Sequence, residues 1–262
     1  MTSEEIRAAL APWLARGRRS AWKPVVEDGE GPSAGSKFCG VPWIGPDDPW
    51  PKCGCCDEPL TLFLQLDLDA LPEELGDRFG SGLLQLFYCV RNDCQGDGGW
   101  EPFGDEVSRV RVVHPAPSAP SASSATDLPR LPAKRIVGWV HLDDLPSPEE
   151  HEEAGLNFTY DFKAGTLRLE CPELDFQVEQ PMSECEVEEI AVSTTGDKLA
   201  GWPAWVQGVE YPSCPRCGSR MIHLFQVDSE DHVPFMFGDA GCGHVTQCPD
   251  HKDVVAFGWA CC

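Results

Sequence analysis

PKCGCCDEPLTLFLQLD, residues 51–67, returns as PSCPRCGSRMIHLFQVD, residues 212–228, and the match between these two stretches decides how the chain is read. Extended toward the N-terminus, it runs without a gap. Lys37, Gly40, Pro42, Pro51, Cys53, Cys56, Gln65 and Asp67 recur as Lys198, Gly201, Pro203, Pro212, Cys214, Cys217, Gln226 and Asp228, each 161 residues further on. Close swaps such as Trp50/Tyr211, Leu60/Met221 and Leu66/Val227 lie between them. Eight identities, where composition alone supplies roughly two, imply a duplicated structural unit. Each copy holds a Cys-x2-Cys turn and then an apolar run containing Gln-x-Asp. That order reads as a metal knuckle feeding a β-strand.

Outside the copies, short apolar runs are bounded by Gly and Pro. The runs 60–68, 82–90, 107–113 and 136–142 read as strands, as do NFTYDF (157–162), TLRLE (166–170) and EVEEIAV (186–192). LPEEL (71–75) reads as a helical turn, and the acidic stretch 143–153 as a solvated loop or helix start. Residues 2–19 predict one short helix: Thr2 and Glu5 can form a capping box, and Ile6, Leu10, Trp13 and Leu14 share a face. Pro12 should kink or shorten it, and Arg16, Arg18 and Arg19 suit its C-terminal dipole. Residues 22–58 read as irregular loops anchored by Trp22, Trp43 and Trp50.

The expected fold class is therefore mainly β (α+β), with two tandem duplicated β-rich units, zinc knuckles and a short N-terminal helix. The predicted division is a helix at 1–20, a first unit at 21–113, a Pro/Ala/Ser-rich linker at 114–134, central strands at 135–195 and a second unit at 196–262. The two units are expected to pack as lobes with a groove between them.

Lys and Arg number 20 against 43 Asp and Glu, a formal net charge of −23. This argues against a nucleic-acid or anionic-membrane partner and favours a basic protein or peptide, or simply high solubility. No run approaches the length of a membrane span, and the N-terminus lacks a signal-peptide pattern. Fourteen cysteines without a secretion signal imply reduced thiols in a cytoplasm and metal ligation over disulfides.

In the first unit Cys53, Cys56, Cys89 and Cys94 supply four soft ligands. Cys55 competes with Cys56, but only Cys56 aligns with Cys217. In the second unit Cys214 and Cys217 combine with Cys248 and His251, while Cys242, His244, Cys261 and Cys262 compete for places. With one gap, Gln85 aligns with Gln247, which sets Cys89 opposite His251. Four protein ligands close a tetrahedral site, so one or two structural Zn2+ ions are expected; iron suits the same ligands. Thioredoxin-like redox chemistry would want the motif to open a helix, whereas here a strand follows.

Alternation puts Gln65 with Asp67, and Gln226 with Asp228, on one strand face. They read either as the polar floor of a partner cleft or as groups that satisfy nearby loops. Trp43 and Trp202 are partner anchors or core residues. Asp228, Glu230, Asp231 and Asp239 form an acidic cluster beside the second knuckle, and His114, His141, His151 and His232 lack partners at motif spacing. There is no nucleophilic triad, phosphate loop or zinc-protease helix in the sequence, so no catalytic residues are assigned.

These motifs, in the order KFCGVPW, the first knuckle, GLLQLFY, KLAGWPAWVQG, the second knuckle and FMFGDAGCGHVTQCPDH, resemble the bacterial YwqG-like family over about residues 20–262. The knuckle followed by PL-x-FL-x-Q is also similar to the eukaryotic programmed cell death 2 protein and its ribosome-assembly relatives. That resemblance implies a duplicated, β-rich, protein-binding fold, chaperone-like toward a basic polypeptide. A metal-dependent hydrolase or thiol redox enzyme is the alternative; it would require an open metal position or an activated cysteine.

Overall fold

The computed structural model describes every residue except 97, 100, 105, 116–129, 191–192 and 262. Most of the linker predicted at 114–134 thus lies outside the described residues. The chain is mainly β, with a large, nearly closed sheet and few helices. The apolar run at 60–68 becomes β3 (Thr61–Asp67), and the next becomes β4 (Leu83–Tyr88). Leu, Phe and Gln occupy both faces of β3, and both faces are buried from Thr61 to Leu66, so the run is continuous rather than alternating. β4 continues to β5 (Ser108–Val113), its antiparallel neighbour.

Ten strands join in one sheet. Before β3 in sequence come β1 (Arg19–Asp28) and β2 (Lys37–Phe38); after β5 come β6 (Lys134–Asp144), β10 (Lys198–Ala200), β11 (Ile222–Asp228), β12 (Cys242–Gln247) and β13 (Val255–Ala260). The spatial order is β13-β12-β11-β10-β1-β6-β2-β3-β4-β5. Its two ends curl toward each other: Phe257 N donates to Pro102 O at 3.0 Å, and Trp259 Nε1 to the Tyr88 hydroxyl at 2.8 Å. Phe63, Tyr88, Phe235, Phe237 and Phe257 fill the space between, with ring centroids from 5.1 to 6.2 Å apart. Such pairs add about 0.5–1.5 kcal/mol each beyond the area they bury.

A second sheet, β7 (Asn157–Asp161), β8 (Thr166–Cys171) and β9 (Phe176–Pro181), carries its own core. Leu167, Leu169 and Cys171 alternate inward from β8 against Ile6, Leu10, Trp13 and Leu14. Between β6 and β7, the short helix α3 (Pro148–His151) turns the chain.

Four sequence expectations change. The helix at 2–19 is two: α1 (Ser3–Ala9) and α2 (Ala11–Gly17), hinged at Leu10. Pro12 stands in the first turn of α2, where its missing N–H leaves no intrahelical bond unmade. Within the supposed loops of 22–58 runs β1, near the middle of the sheet. Only Ala21 and Trp22 of β1 pair with β10, so at Pro24 the strand is an edge on that side, which tolerates proline. EVEEIAV contributes to a helix, α4 (Glu184–Glu188), because Ser183 and Glu186 form a capping box. And the two Cys-x2-Cys segments are not separate lobes: β1 and β6 join their strands in a single sheet. Among the described residues, no helix is long and apolar enough to cross a membrane.

Candidate metal centres

The same backbone bonds shape both Cys-x2-Cys turns. Cys53 N donates to Glu58 O (2.9 Å) and Asp57 N to Cys53 O (3.0 Å); Cys214 N donates to Ser219 O and Gly218 N to Cys214 O, both at 2.8 Å. Asp57 and Gly218 take the left-handed conformation that closes the turn (φ 59 and 74°), which costs glycine less than aspartate. An isolated bridge, Lys52 with Pro59 and Ser213 with Arg220, then delivers the chain into β3 or β11. Both strands carry a register shift at matching positions, between Leu62 and Leu64 and between His223 and Phe225.

Each turn faces the end of the neighbouring strand. Cys53, Cys56, Cys89 and Cys94 bring their sulfurs within 4.8 Å of one another, and so do the ligand atoms of Cys214, Cys217, Cys248 and His251. Cys53 Sγ lies 3.7 Å from Cys94 Sγ, and Cys56 Sγ 3.8 Å from Cys89 Sγ. In the second group Cys217 and Cys248 are 3.6 Å apart, and His251 Nδ1 lies 3.8 and 3.6 Å from Cys214 and Cys248. A tetrahedron with metal–sulfur bonds of about 2.3 Å has edges of about 3.8 Å, and a sulfur–imidazole edge is about 3.6 Å. Disulfides would bring sulfurs to about 2.05 Å. The donor sets therefore fit a four-coordinate ion, and each could hold one. Ser219 Oγ, 3.3 Å from Cys217 Sγ, holds that thiol down to about 6, while burial pushes Cys89 up.

The competitors fall outside both groups. Cys55 is exposed, and Cys242 is buried within β12 opposite Ala260, its Sγ 3.6 Å from Val227 O. His244 faces Gln226 across the ladder, Cys261 belongs to neither group, and Cys262 lies outside the described residues. The gapped match of Gln85 with Gln247 is corrected by register. Asp67 opposes Leu83 and Gln65 opposes Gln85; Asp228 opposes Cys242 and Gln226 opposes His244. The counterpart of Gln85 is thus His244, and Cys248, not His251, stands where Cys89 does.

Gln65 and Gln226 are fully buried and committed internally. Gln65 Oε1 accepts from Trp43 N and Gln85 Nε2, both at 2.9 Å, while its Nε2 donates to Ser33 O and Gly35 O. Gln226 Oε1 accepts from Ala204 N, and its Nε2 donates to Gly196 O. As a partner-binding floor these glutamines are excluded, because their amides hold the preceding loops against the strand. Asp67 and Asp228, half-buried at the strand ends, accept from Asp69 N and from Gly196 N and Ser229 N. Trp43 is buried, which corrects its anchor role. Trp202 is half-buried, donates to Gly17 O at 2.6 Å and lies under the Arg19 guanidinium.

A third cluster escaped the sequence reading. Buried Asp197 receives His232 Nδ1 at 2.8 Å, and Asp231 lies 3.4 Å from the same nitrogen. Asp197 is reached from 35 residues away, so no local spacing announces it. Its one signal is the repeat. Ser36 Oγ accepts from Asp67 N, and Asp197, in the corresponding place, accepts from Asp228 N.

Among known proteins, the family described as "Domain of unknown function (DUF1963)" matches residues 36–250. A segment of 43 residues is 49% identical to "Uncharacterized protein YpfL" of Salmonella typhimurium strain LT2, covering 16% of this chain and a tenth of that relative's length.

Proposed function

We propose, for a chain that belongs to the DUF1963 family, a zinc-stabilised protein-binding module built on a duplicated unit and chaperone-like or inhibitor-like toward a basic polypeptide. The observation that carries this reading is the pair of closed four-ligand clusters, each tying a Cys-x2-Cys turn to the neighbouring strand end. Closed sets of sulfur and imidazole suit Zn2+ in a structural role, and they leave no position for substrate. The matched turns, bridges and glutamine bonds of the two segments support duplication. The resemblance to YwqG-like proteins and to the programmed cell death 2 group points the same way.

The outer face of β1 and β6 offers the contact surface. Val25 and Val140 stand 41% and 56% exposed on the same side of the pair, with Val137 beside them at 47%. On that face Lys23 stands opposite Val140 and Glu27 pairs with Arg135, so acidity comes from the chain as a whole, with a net charge of −23. Exposed apolar residues suit an apolar segment of a partner, and the net negative charge of the chain would steer a basic one. A cytoplasmic setting is proposed with it, since free thiols are needed for the metal.

The test is affinity capture from the native host at low and raised salt, with elemental analysis of the same sample. A basic polypeptide retained at low salt and released as salt rises, with about two zinc ions per chain, is the expected result. Capture indifferent to salt, or fewer than about one metal per chain, would overturn the reading.

A further inference from the structure

A cavity of about 510 Å3 opens beside the second knuckle, walled by segments that lie far apart in sequence. Arg19 comes from the start of β1, and Arg78 from the loop between β3 and β4. Glu150 comes from α3, Trp202 and Tyr211 from the loop between β10 and β11, and Arg220 from the exit of the knuckle. Three arginines in one cavity stand out in a protein with more than twice as many acidic as basic side chains.

The carboxylates present are already committed. Glu153 pairs with Arg220 at 2.9 Å. Glu150 is buried, and its Oε1 accepts from Trp205 Nε1 at 2.6 Å and from the Tyr211 hydroxyl at 2.8 Å. Arg19 and Arg78 have no carboxylate within 4.0 Å among the described residues, though the charges of Arg19 and Arg220 reach the buried Glu150 carboxylate and favour its ionised form. Arg19 lies over the Trp202 ring, 3.1 Å from its centroid, and Arg220 over Tyr211 at 4.2 Å. The ring faces hold both cationic groups at the cavity before anything binds. The two unpaired groups also repel each other: desolvation by the cavity walls, then the charge of Arg19, lowers the Arg78 pKa. His223 closes the floor with Nδ1 bonded to Ala200 O at 3.0 Å, and burial keeps it neutral, so the positive charge of the site belongs to arginine.

We infer that this cavity binds a small organic oxyanion, a phosphate monoester or a carboxylate, whose charged head bridges Arg19 and Arg78 and whose apolar part lies along Trp202, Tyr211 and Met221. Two guanidinium groups outside any ion pair, Arg19 balanced only in part by the charge of Glu150, match the two or more acceptor oxygens of such a head, and bidentate contacts make arginine the favoured partner. The volume suits a small molecule rather than a folded partner. The inference is independent of the basic-polypeptide reading, which concerns the β1–β6 face.

Titration calorimetry on the metal-loaded protein with phenyl phosphate, benzoate and inorganic phosphate tests it. Phenyl phosphate or benzoate is expected to bind with Kd of about 1 mM or tighter, and the tighter of the two identifies the head group. Inorganic phosphate, lacking the apolar part, should bind at least about tenfold more weakly than phenyl phosphate. Arg78→Gln and Arg19→Gln should each weaken the preferred probe by about tenfold or more. Arg18→Gln, which removes an exposed arginine paired with Asp143 outside the cavity, should leave it unchanged. Thermal melting of each variant shows that it is folded, and two substitutions guard against the loss of one. Absence of binding by both organic probes, or equal affinity in the folded Arg78 and Arg19 variants, would overturn the inference.

Discussion

Lys198 Nζ lies 2.9 Å from Asp144 Oδ2, and both side chains are wholly shielded from solvent. The pair locks β10 to the end of β6, and Asp144 also accepts from Thr194 N and Trp202 N, each at 2.8 Å. Asp144→Ala would leave a buried ammonium without its counter-charge, bonded only to Thr194 O, and two N–H groups without a partner. It should cost about 3–5 kcal/mol in urea denaturation. Adding Lys198→Met should recover part of that loss, because the unpaired charge disappears with it.

Gly201 packs against the same carboxylate. It has φ 71°, and a Cβ there would meet Asp144 Oδ2 at 2.5 Å and Ala21 Cβ at 2.6 Å. Gly40, its counterpart, also has φ 71° and would meet Ala133 Cβ at 2.5 Å. Gly201→Ala should therefore destabilise well beyond the 1–2 kcal/mol or so of left-handed strain alone. Gly165→Ala, with φ 58° and its nearest neighbours at 4.0 Å, should show only that strain. Melting of the two variants side by side separates strain from collision.

The buried amide of Gln65 joins loop to strand through four bonds. Gln65→Leu keeps the bulk but strands the Trp43 N–H and the carbonyls of Ser33 and Gly35. A loss of about 2–4 kcal/mol is expected from chemical denaturation. A loss under about 0.5 kcal/mol would mean that water replaces these bonds.

Metal content discriminates among the cysteines. Cys53→Ser and Cys214→Ser should each remove about one metal per chain and lower the melting temperature. Cys55→Ser and Cys242→Ser, outside the clusters, should retain full metal. Elemental analysis of the purified variants reads the outcome directly.

Asp197 makes stability depend on pH. Burial raises its pKa to about 6, against the opposing effect of His232. A folded-state value above the unfolded one means that the native state binds more protons between about pH 4 and 6. The burden of the buried carboxylate is thus full above about pH 6 and eases as pH falls toward 4. Relative to Asp197→Asn, the wild type should gain on the order of 2 kcal/mol across that window. Denaturation midpoints at pH 4, 5, 6 and 7 would show it; parallel curves would refute it.

Much of the β framework was legible in the chain. The runs that became β3 and β4 are long, apolar and bounded by turn residues, so local pattern and burial agree. β1 was hidden because Arg19, Lys23, Pro24 and Glu27 break its apolar pattern, and it is held by its partners rather than by its own propensity. EVEEIAV misled for the opposite reason: apolar spacing suggested a strand, and the cap at Ser183 chose a helix.

The sequence by itself determined the repeated segment and the two Cys-x2-Cys pairs, since both rest on residue identity and short spacing, and the repeat singled out Cys56 over Cys55. Tertiary structure alone decided the rest. Register moved the partner of Cys89 from His251 to Cys248, because a ladder aligns backbone positions whatever side chains they carry. Folding also turned Gln65 and Gln226 into buried bonds, and brought Asp197 to His232 and Arg19 to Arg78. Those encounters depend on ten strands closing nearly into a ring, which no local spacing encodes.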